Sequence, residues 1–210
     1  MCIRDRLLSN IHQRGMKLIL DLVVNHTSDE HPWFIESKSS KTNAKRDWYI
    51  WADPKPDGSE PNNWESIFNG STWEFDESTK QYYFHLFSKK QPDLNWENPD
   101  VRQAVFEMMN WWFEKGIDGF RVDAITHIKK NFEAGDLPVP DGKKFAPAFD
   151  VDMNQPGIQE WLQEMKDKSL SRYNIMTVGE ANGVTPNDAE EWVGEEKGKF
   201  NMIFLSLIHI

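Results

Sequence analysis

The sequence has a single cysteine, Cys2, in 210 residues, which excludes an internal disulfide framework and fits a reducing compartment. It has no apolar run approaching the roughly 20 residues that span a bilayer. Its start, "MCIRDRLLSN", lacks the apolar core of a signal peptide. The expected location is therefore cytoplasmic, with no membrane partner, and the sequons at Asn25 and Asn69 carry no weight. Basic residues are in the minority: 24 Lys and Arg stand against 34 Asp and Glu, a formal net charge of −10. That balance argues against nucleic acid as a partner. No repeat or low-complexity stretch is visible. What remains, 39% hydrophobic and 28% charged residues, is an ordinary soluble domain with a real core.

Tryptophan is abundant by contrast, with 10 residues within 13% aromatics. Most such rings fill cores. The others cluster with Gly, Asn and Asp in loop-like sequence such as "NNWESIFNGSTW", where rings suit flat, neutral ligands. Sugars are one candidate.

Along the chain, Leu7–Arg14 reads as the end of a helix closed by Gly15. "KLILDLVV", Lys17–Val24, is a nearly unbroken apolar run with one buried-looking aspartate, Asp21. It predicts a strand covered on both faces, as in parallel sheets. The stretch from Thr27 to Pro99 is too long for a simple connection and predicts an inserted subdomain containing short strands such as "QYYFHLF". Regular alternation then resumes. Asp100 is the predicted N-cap of an amphipathic helix over Val101–Lys115, followed by a strand over Ile117–Val122. A loop spans Lys129–Pro156, with a helix over Ile158–Ser169 and a strand over Asn174–Glu180. A short helix over Asp188–Glu196 and a strand starting at Phe200 complete the pattern. Alternating strands and helices predict a parallel α/β protein.

Three strand ends are polar: Asp21 with Asn25 and His26, Arg121 with Asp123, and Glu180. Residues i and i+2 of a strand share a face, so Arg121 and Asp123 lie side by side. In βα barrels, groups at the C-terminal ends of several strands converge on the active site. Carboxylates on neighbouring ends can lie about 5 Å apart, the separation a retaining glycosidase needs. A cation beside Asp123 favours its ionised form as a nucleophile. Glu180 has no cation adjacent in sequence, which suits a protonated acid. On spacing alone, a structural ion pair explains Arg121 and Asp123 better, and a lone glutamate decides nothing. Asp21 and His26 have no further ligand at a standard metal spacing.

Together these segments match a pattern. "DLVVNH", "GFRVDAITH" and "VGE", in this order, resemble regions one, two and three of the α-amylase superfamily, glycoside hydrolase family 13. "QPDLN", Gln91–Asn95, resembles the fifth region that marks its oligo-1,6-glucosidase subfamily. The resemblance runs from Leu7 to Phe204. It implies part of a (β/α)8 TIM barrel, about strands three to six, with domain B inserted after strand three. The domains expected are a barrel part over 1–26, domain B over 27–99 and a second barrel part over 100–210. By position, Asp123 resembles the family's catalytic nucleophile, Glu180 its general acid/base and Arg121 the arginine beside the nucleophile. His26 resembles the histidine that binds the glucosyl ring, and Asp21 the aspartate of the same polar cluster. Phe68 and Phe87 fall where related glucosidases place aromatics around that ring. Ala124, directly after the nucleophile, stands where threonine or alanine accompanies α-1,4 activity and valine α-1,6 activity.

The resemblance also has gaps. The family's region four, with its third essential carboxylate, is absent, as are the outer barrel strands and the C-terminal β domain, so an internal piece of a longer enzyme is expected. Both ends look foreign. "MCIRDR" can be encoded by ATG TGT ATA AGA GAC AG and a further base and codon, and the reverse complement of that stretch reads Leu-Ser-Leu-Ile-His, as in "LSLIHI". Met1–Arg6 and Leu205–Ile210 are accordingly expected to derive from sequencing adapters. Asn25 and His127 occupy positions that help hold calcium in α-amylases proper. Thr126 replaces the usual lysine, and the QPDLN subfamily does not generally use that site, so neither metal nor cofactor is expected. The resemblance thus implies a monomeric retaining α-glucosidase acting on α-1,4 and α-1,6 bonds of short oligosaccharides. Trehalose-6-phosphate hydrolase and sucrose isomerase share the same motifs. A non-catalytic barrel, like the heavy chains of amino-acid transporters, is the rival of another class.

Overall fold

The computed structural model describes residues 3–204. Met1, Cys2 and 205–210 lie outside the described residues, and with them most of the expectation about foreign ends. In chain order the strands are β1 Ile19–Val23, β2 Trp51–Ala52, β3 Trp73–Asp76, β4 Gln81–Phe84, β5 Gly119–Asp123, β6 Met176–Glu180 and β7 Met202–Phe204. The helices are α1 Ile3–Gln13, α2 Pro32–Ser39, α3 Pro99–Glu114, α4 Phe149–Asp152, α5 Ile158–Lys168 and α6 Ala189–Val193. Two compact units result. One comprises Met1–Val23, Arg102–Thr126 and Pro156–Ile210, the other Val24–Val101 and His127–Gln155.

The first unit is built on a four-stranded sheet in the order β1-β5-β6-β7, parallel throughout. This is the α/β arrangement that the alternation of elements predicts. Leu22, Phe120 and Val122 on one face are buried with Phe106, Met109 and Phe113 of α3 and Leu162 and Met165 of α5. The Phe113 and Phe120 rings meet at 4.8 Å. Gly119 is required where β5 approaches β6, because a Cβ there would collide with the Met176 carbonyl oxygen.

The other face differs from the expectation of strands covered on both sides. Ile19, Val23, Met176, Met202 and Phe204 are all exposed there, and Asp21, far from buried, has 58% of its side chain in solvent. The run "KLILDLVV" is apolar on both faces although only one is covered within the described residues.

The start of α3 is a second difference. Asp100 lies inside the first turn, and Asn98 is the cap: its Oδ1 accepts from the Asp100 N–H at 2.9 Å. Pro99 at N1 moves the helix start, because its fixed φ suits that position and it has no N–H to satisfy.

The second unit holds the antiparallel sheet β2-β4-β3. Its core contains Trp64, Trp73, Phe84, Leu86, Ala148 and Val151. The loop after β5 thus packs in the same unit as the insertion. Trp64 stacks on Phe132 at 5.2 Å, and Ala146 bonds Asn63 and Glu65 through its backbone. The stretch "NNWESIFNGSTW" therefore departs from the expectation of ligand-facing rings. Trp64 donates Nε1–H to the Gly135 carbonyl and Trp73 to Asn62 Oδ1, both at 2.8 Å. With their N–H groups satisfied, both indoles can be buried.

Candidate active site

In the first unit, strand register assembles one polar group. Asp21 pairs with Arg121 across β1 and β5, and Arg121 pairs with Val178 across β5 and β6. Two residues further along each strand, on the same face, come Asp123 and Glu180. Parallel strands in register with a period of two thus place Asp21, Arg121, Asp123 and Glu180 on the open face.

Arg121 is the hub. Nη1 donates to Asp21 Oδ1 at 2.9 Å and also to Asp123 Oδ1. Nη2 donates to Glu180 Oε2 at 2.9 Å. Partial burial works against the guanidinium's charge, but the hydrogen bonds to Asp21 and Asp123 and the charge of Glu180 outweigh it. Its pKa is held above the ordinary arginine value, so it is a permanent cation. Glu180 has no cation adjacent in sequence, but Arg121, distant in sequence, is adjacent to it across the sheet. Ala124 adds a backbone donor, its N–H reaching Glu180 Oε2 at 3.0 Å. It does so from the left-handed region, with φ 46°, where a non-glycine residue is strained.

The second unit brings together His26, Phe68 and Phe87. The His26 and Phe87 rings lie 5.2 Å apart and those of Phe87 and Phe68 5.9 Å apart. Phe68 is 62% exposed beside a turn in which Asn69 and Gly70 have positive φ. Here an exposed ring does stand in the aromatic loop, though it is a phenylalanine rather than a tryptophan.

The geometry also accounts for "QPDLN". The segment pairs antiparallel with Asn25–Thr27: Thr27 N–H donates to the Pro92 carbonyl and Leu94 N–H to the Asn25 carbonyl. The Gln91 amide nitrogen lies 2.9 Å from His26 Nε2. Asp93 is buried, pairing through Oδ2 with Lys130 Nζ at 2.6 Å and accepting from Leu86 N–H through Oδ1 at 3.0 Å. Leu94 is buried, and Asn95 ties down Asp47. Sequence reasoning missed Lys130 entirely, and the individual roles of Gln91 and Asp93. Two lysines in "HIKKNF" carry no local signal, whereas the motif itself could have pointed to Asp93. Among the described residues no three His, Cys, Asp or Glu form a group able to hold a metal.

Comparison with known proteins then places the chain. Residues 3–209 match the family model described as alpha amylase, catalytic domain. The chain belongs to the alpha-amylase family. This family member is 63% identical over 200 residues to a probable oligo-1,6-glucosidase 3 of Bacillus subtilis (strain 168), a match covering 95% of the chain and 36% of that relative. Among solved structures it resembles trehalose-6-phosphate hydrolase of Bacillus licheniformis, with a TM-score of 0.88 and 46% identity over 96% of the chain and 35% of that protein. It is also similar to the isomaltulose synthase of Protaminobacter rubrum, with a TM-score of 0.87 and 41% identity over 96% of the chain and 36% of that protein. The alpha-amylase chain thus spans about a third of the length of the relatives it matches, which agrees with a partial barrel.

Proposed function

We propose that the whole protein is a retaining α-glucosidase that hydrolyses α-1,4 and α-1,6 bonds of short oligosaccharides. The observation that carries this reading is the Arg121 guanidinium bridging two carboxylates, Asp123 and Glu180, at the C-terminal ends of adjacent parallel strands. Asp123 acts as nucleophile. Its carboxylate oxygen bonds to the anomeric carbon as the glycosidic C–O bond breaks, while Glu180 gives its proton to the leaving oxygen. Glu180 then takes a proton from water, the hydroxide bonds to the anomeric carbon, and Asp123 is released. Arg121 orients both carboxylates. Both donors to Glu180 fall on Oε2, leaving Oε1 as the oxygen for the transferable proton. Asp21, His26, Phe68 and Phe87 bind the sugar, and Ala124 borders the leaving-group side.

Identity to the Bacillus subtilis relative supports a glucosidase over trehalose-6-phosphate hydrolase or sucrose isomerase. The bridged carboxylates favour an enzyme over a transporter heavy chain. No helix among the described residues is long and apolar enough to cross a membrane. A cytoplasmic monomer without cofactor or metal completes the proposal. In the full-length protein, Asp123→Asn should lower turnover on every glucoside by orders of magnitude. Glu180→Gln should impair poor leaving groups far more than activated aryl glucosides. NMR of the first-formed sugar should show the α-anomer. Equal losses for Glu180→Gln on both substrate types, or a β-product, would sink the reading.

A further inference from the structure

We infer that Lys130 is a positioning residue for sugar binding: its buried ammonium, acting through Asn25, fixes His26 in the tautomer that carries its proton on Nε2. This rests on the proposal that His26 contacts the substrate. The Lys130 and Asp93 side chains are 1% and 0% exposed. A buried ion pair loses hydration on both sides and persists where further hydrogen bonds complete it. Here Lys130 Nζ also donates to Asn25 Oδ1 at 2.9 Å, and Asn25 Nδ2 donates to Asp93 Oδ2 at 3.0 Å. An ammonium only donates and a carboxylate only accepts. The Asn25 amide is therefore clamped at both ends. Turning it over would set NH2 against ammonium and carbonyl against carboxylate.

The clamped amide has one consequence for its neighbour. Asn25 Nδ2 lies 3.3 Å from His26 Nδ1, so that ring nitrogen faces a donor and must present its lone pair. The proton of the neutral imidazole is left on Nε2. Gln91 lies on that side at 2.9 Å and is the adaptable partner. Presenting its amide oxygen to Nε2–H costs only the 3.3 Å bond from Ser88 N–H to Gln91 Oε1, whereas turning Asn25 would break charge-assisted bonds. The result is a ring packed against Phe87 with its single N–H directed to the Nε2 side, where a sugar hydroxyl can take the place of the Gln91 amide as acceptor.

The test uses the full-length protein. Lys130→Met alone leaves Asp93 as a buried unpaired charge and can unfold the chain, so the informative variant is Lys130→Met with Asp93→Asn. With histidine nitrogens labelled and His26 assigned by its loss in His26→Gln, long-range proton–nitrogen spectra should show the Nε2–H form in the wild type. The double variant should show a mixture. In the same pair KM should rise about tenfold, as for one lost hydrogen bond, with kcat little changed. Adding the pair to His26→Gln should raise KM no further, because a residue acting through another is not additive with it. A wild-type Nδ1–H tautomer, an unaltered tautomer in the double variant, or additive KM effects would each overturn the inference. A His26→Gln protein with unchanged KM would instead refute the substrate-binding role of His26, while the spectra still decide the tautomer.

Discussion

The open face of the parallel sheet should make the 210-residue chain self-associate when expressed by itself. Ile19, Val23, Met176, Met202 and Phe204 are 37%, 41%, 40%, 51% and 39% exposed on it. Full burial of such a side chain is worth about 1.5–3 kcal/mol. The remaining two-fifths is therefore about 1 kcal/mol each, and two faces brought together gain about 10 kcal/mol. Association costs about 4–15 kcal/mol in lost freedom, so the two terms are comparable and the complex should be weak and concentration-dependent. The same face carries the carboxyl groups of Asp21, Asp123 and Glu180, which outnumber the Arg121 guanidinium they surround. Like charges then oppose the contact, and added salt should strengthen it by screening them. Strands β1 and β7, at the ends of the sheet among the described residues, offer their outer edges as a second route.

Replacing Met176 and Met202 by glutamate removes two of the five apolar contributions and adds to the negative charge that opposes the contact. Sedimentation velocity over a wide concentration range should show the parent chain shifting to larger species, more so with salt, and the double variant staying monomeric. The isolated chain should also hydrolyse no glucoside. A parent chain that remains monomeric at high salt, with sharp near-UV dichroism and measurable turnover, would refute the reasoning.

In the full-length protein, Arg121→Lys should lose most activity, because one ammonium cannot reproduce separate nitrogens on Asp123 and Glu180; near-normal kcat would refute the bridging role. Ala124→Val should raise the isomaltose-to-maltose rate ratio and lower stability by about 1–2 kcal/mol, since a β-branched residue resists positive φ. Side-by-side assays and urea melts check both effects. Asp118 is partly desolvated, but hydrogen bonds from Lys17, Leu18 N–H and His12 overcome that and bring its pKa down from 3.8 to about 2. A depressed carboxylate contributes stability that is complete above its unfolded pKa and lost as pH falls through its folded one. Asp118→Asn should thus cost about 1 kcal/mol at neutral pH, discounted for its exposed partners, and the gap should close between about pH 4 and pH 2; a constant gap would count against the ion cluster.

The sequence made the alternation of elements legible because each depends on local features. Gly15 closes α1, and Asp188 stands just before α6. The pairing of Arg121 with Asp123 was legible too, being a two-residue interval in one strand. What could not be read was anything set by register between strands. Glu180 receives Arg121 Nη2 only because β5 and β6 align Arg121 with Val178. Nor did composition separate one face of β1 from the other, since a strand that is apolar on both faces looks the same whether one or both are covered. The tryptophans misled for a related reason. Asn and Gly around Trp64 and Trp73 look like loop surface, yet Asn62 Oδ1 is there to satisfy an indole inside the core.

The motif "QPDLN" shows why a string can be recognised before its physics is understood. Four of its residues do separate work on Asn25, His26 and Asp47, and none of that work is visible in the string. Asp93 in particular looks like a surface carboxylate, and its burial makes sense only with Lys130, which lies in the loop after β5 and approaches from another part of the chain. Removing either charge alone leaves the other without a counterion in the core, which costs more than the pair itself is worth. The pair is therefore poor evidence for stability and better evidence for orientation. An aspartate and a lysine on opposite sides of one amide permit Asn25 a single direction. If Lys130 paired with Asp93 without touching Asn25, the amide would be held at one end only, by Asp93 Oδ2, and the His26 tautomer would be less firmly set.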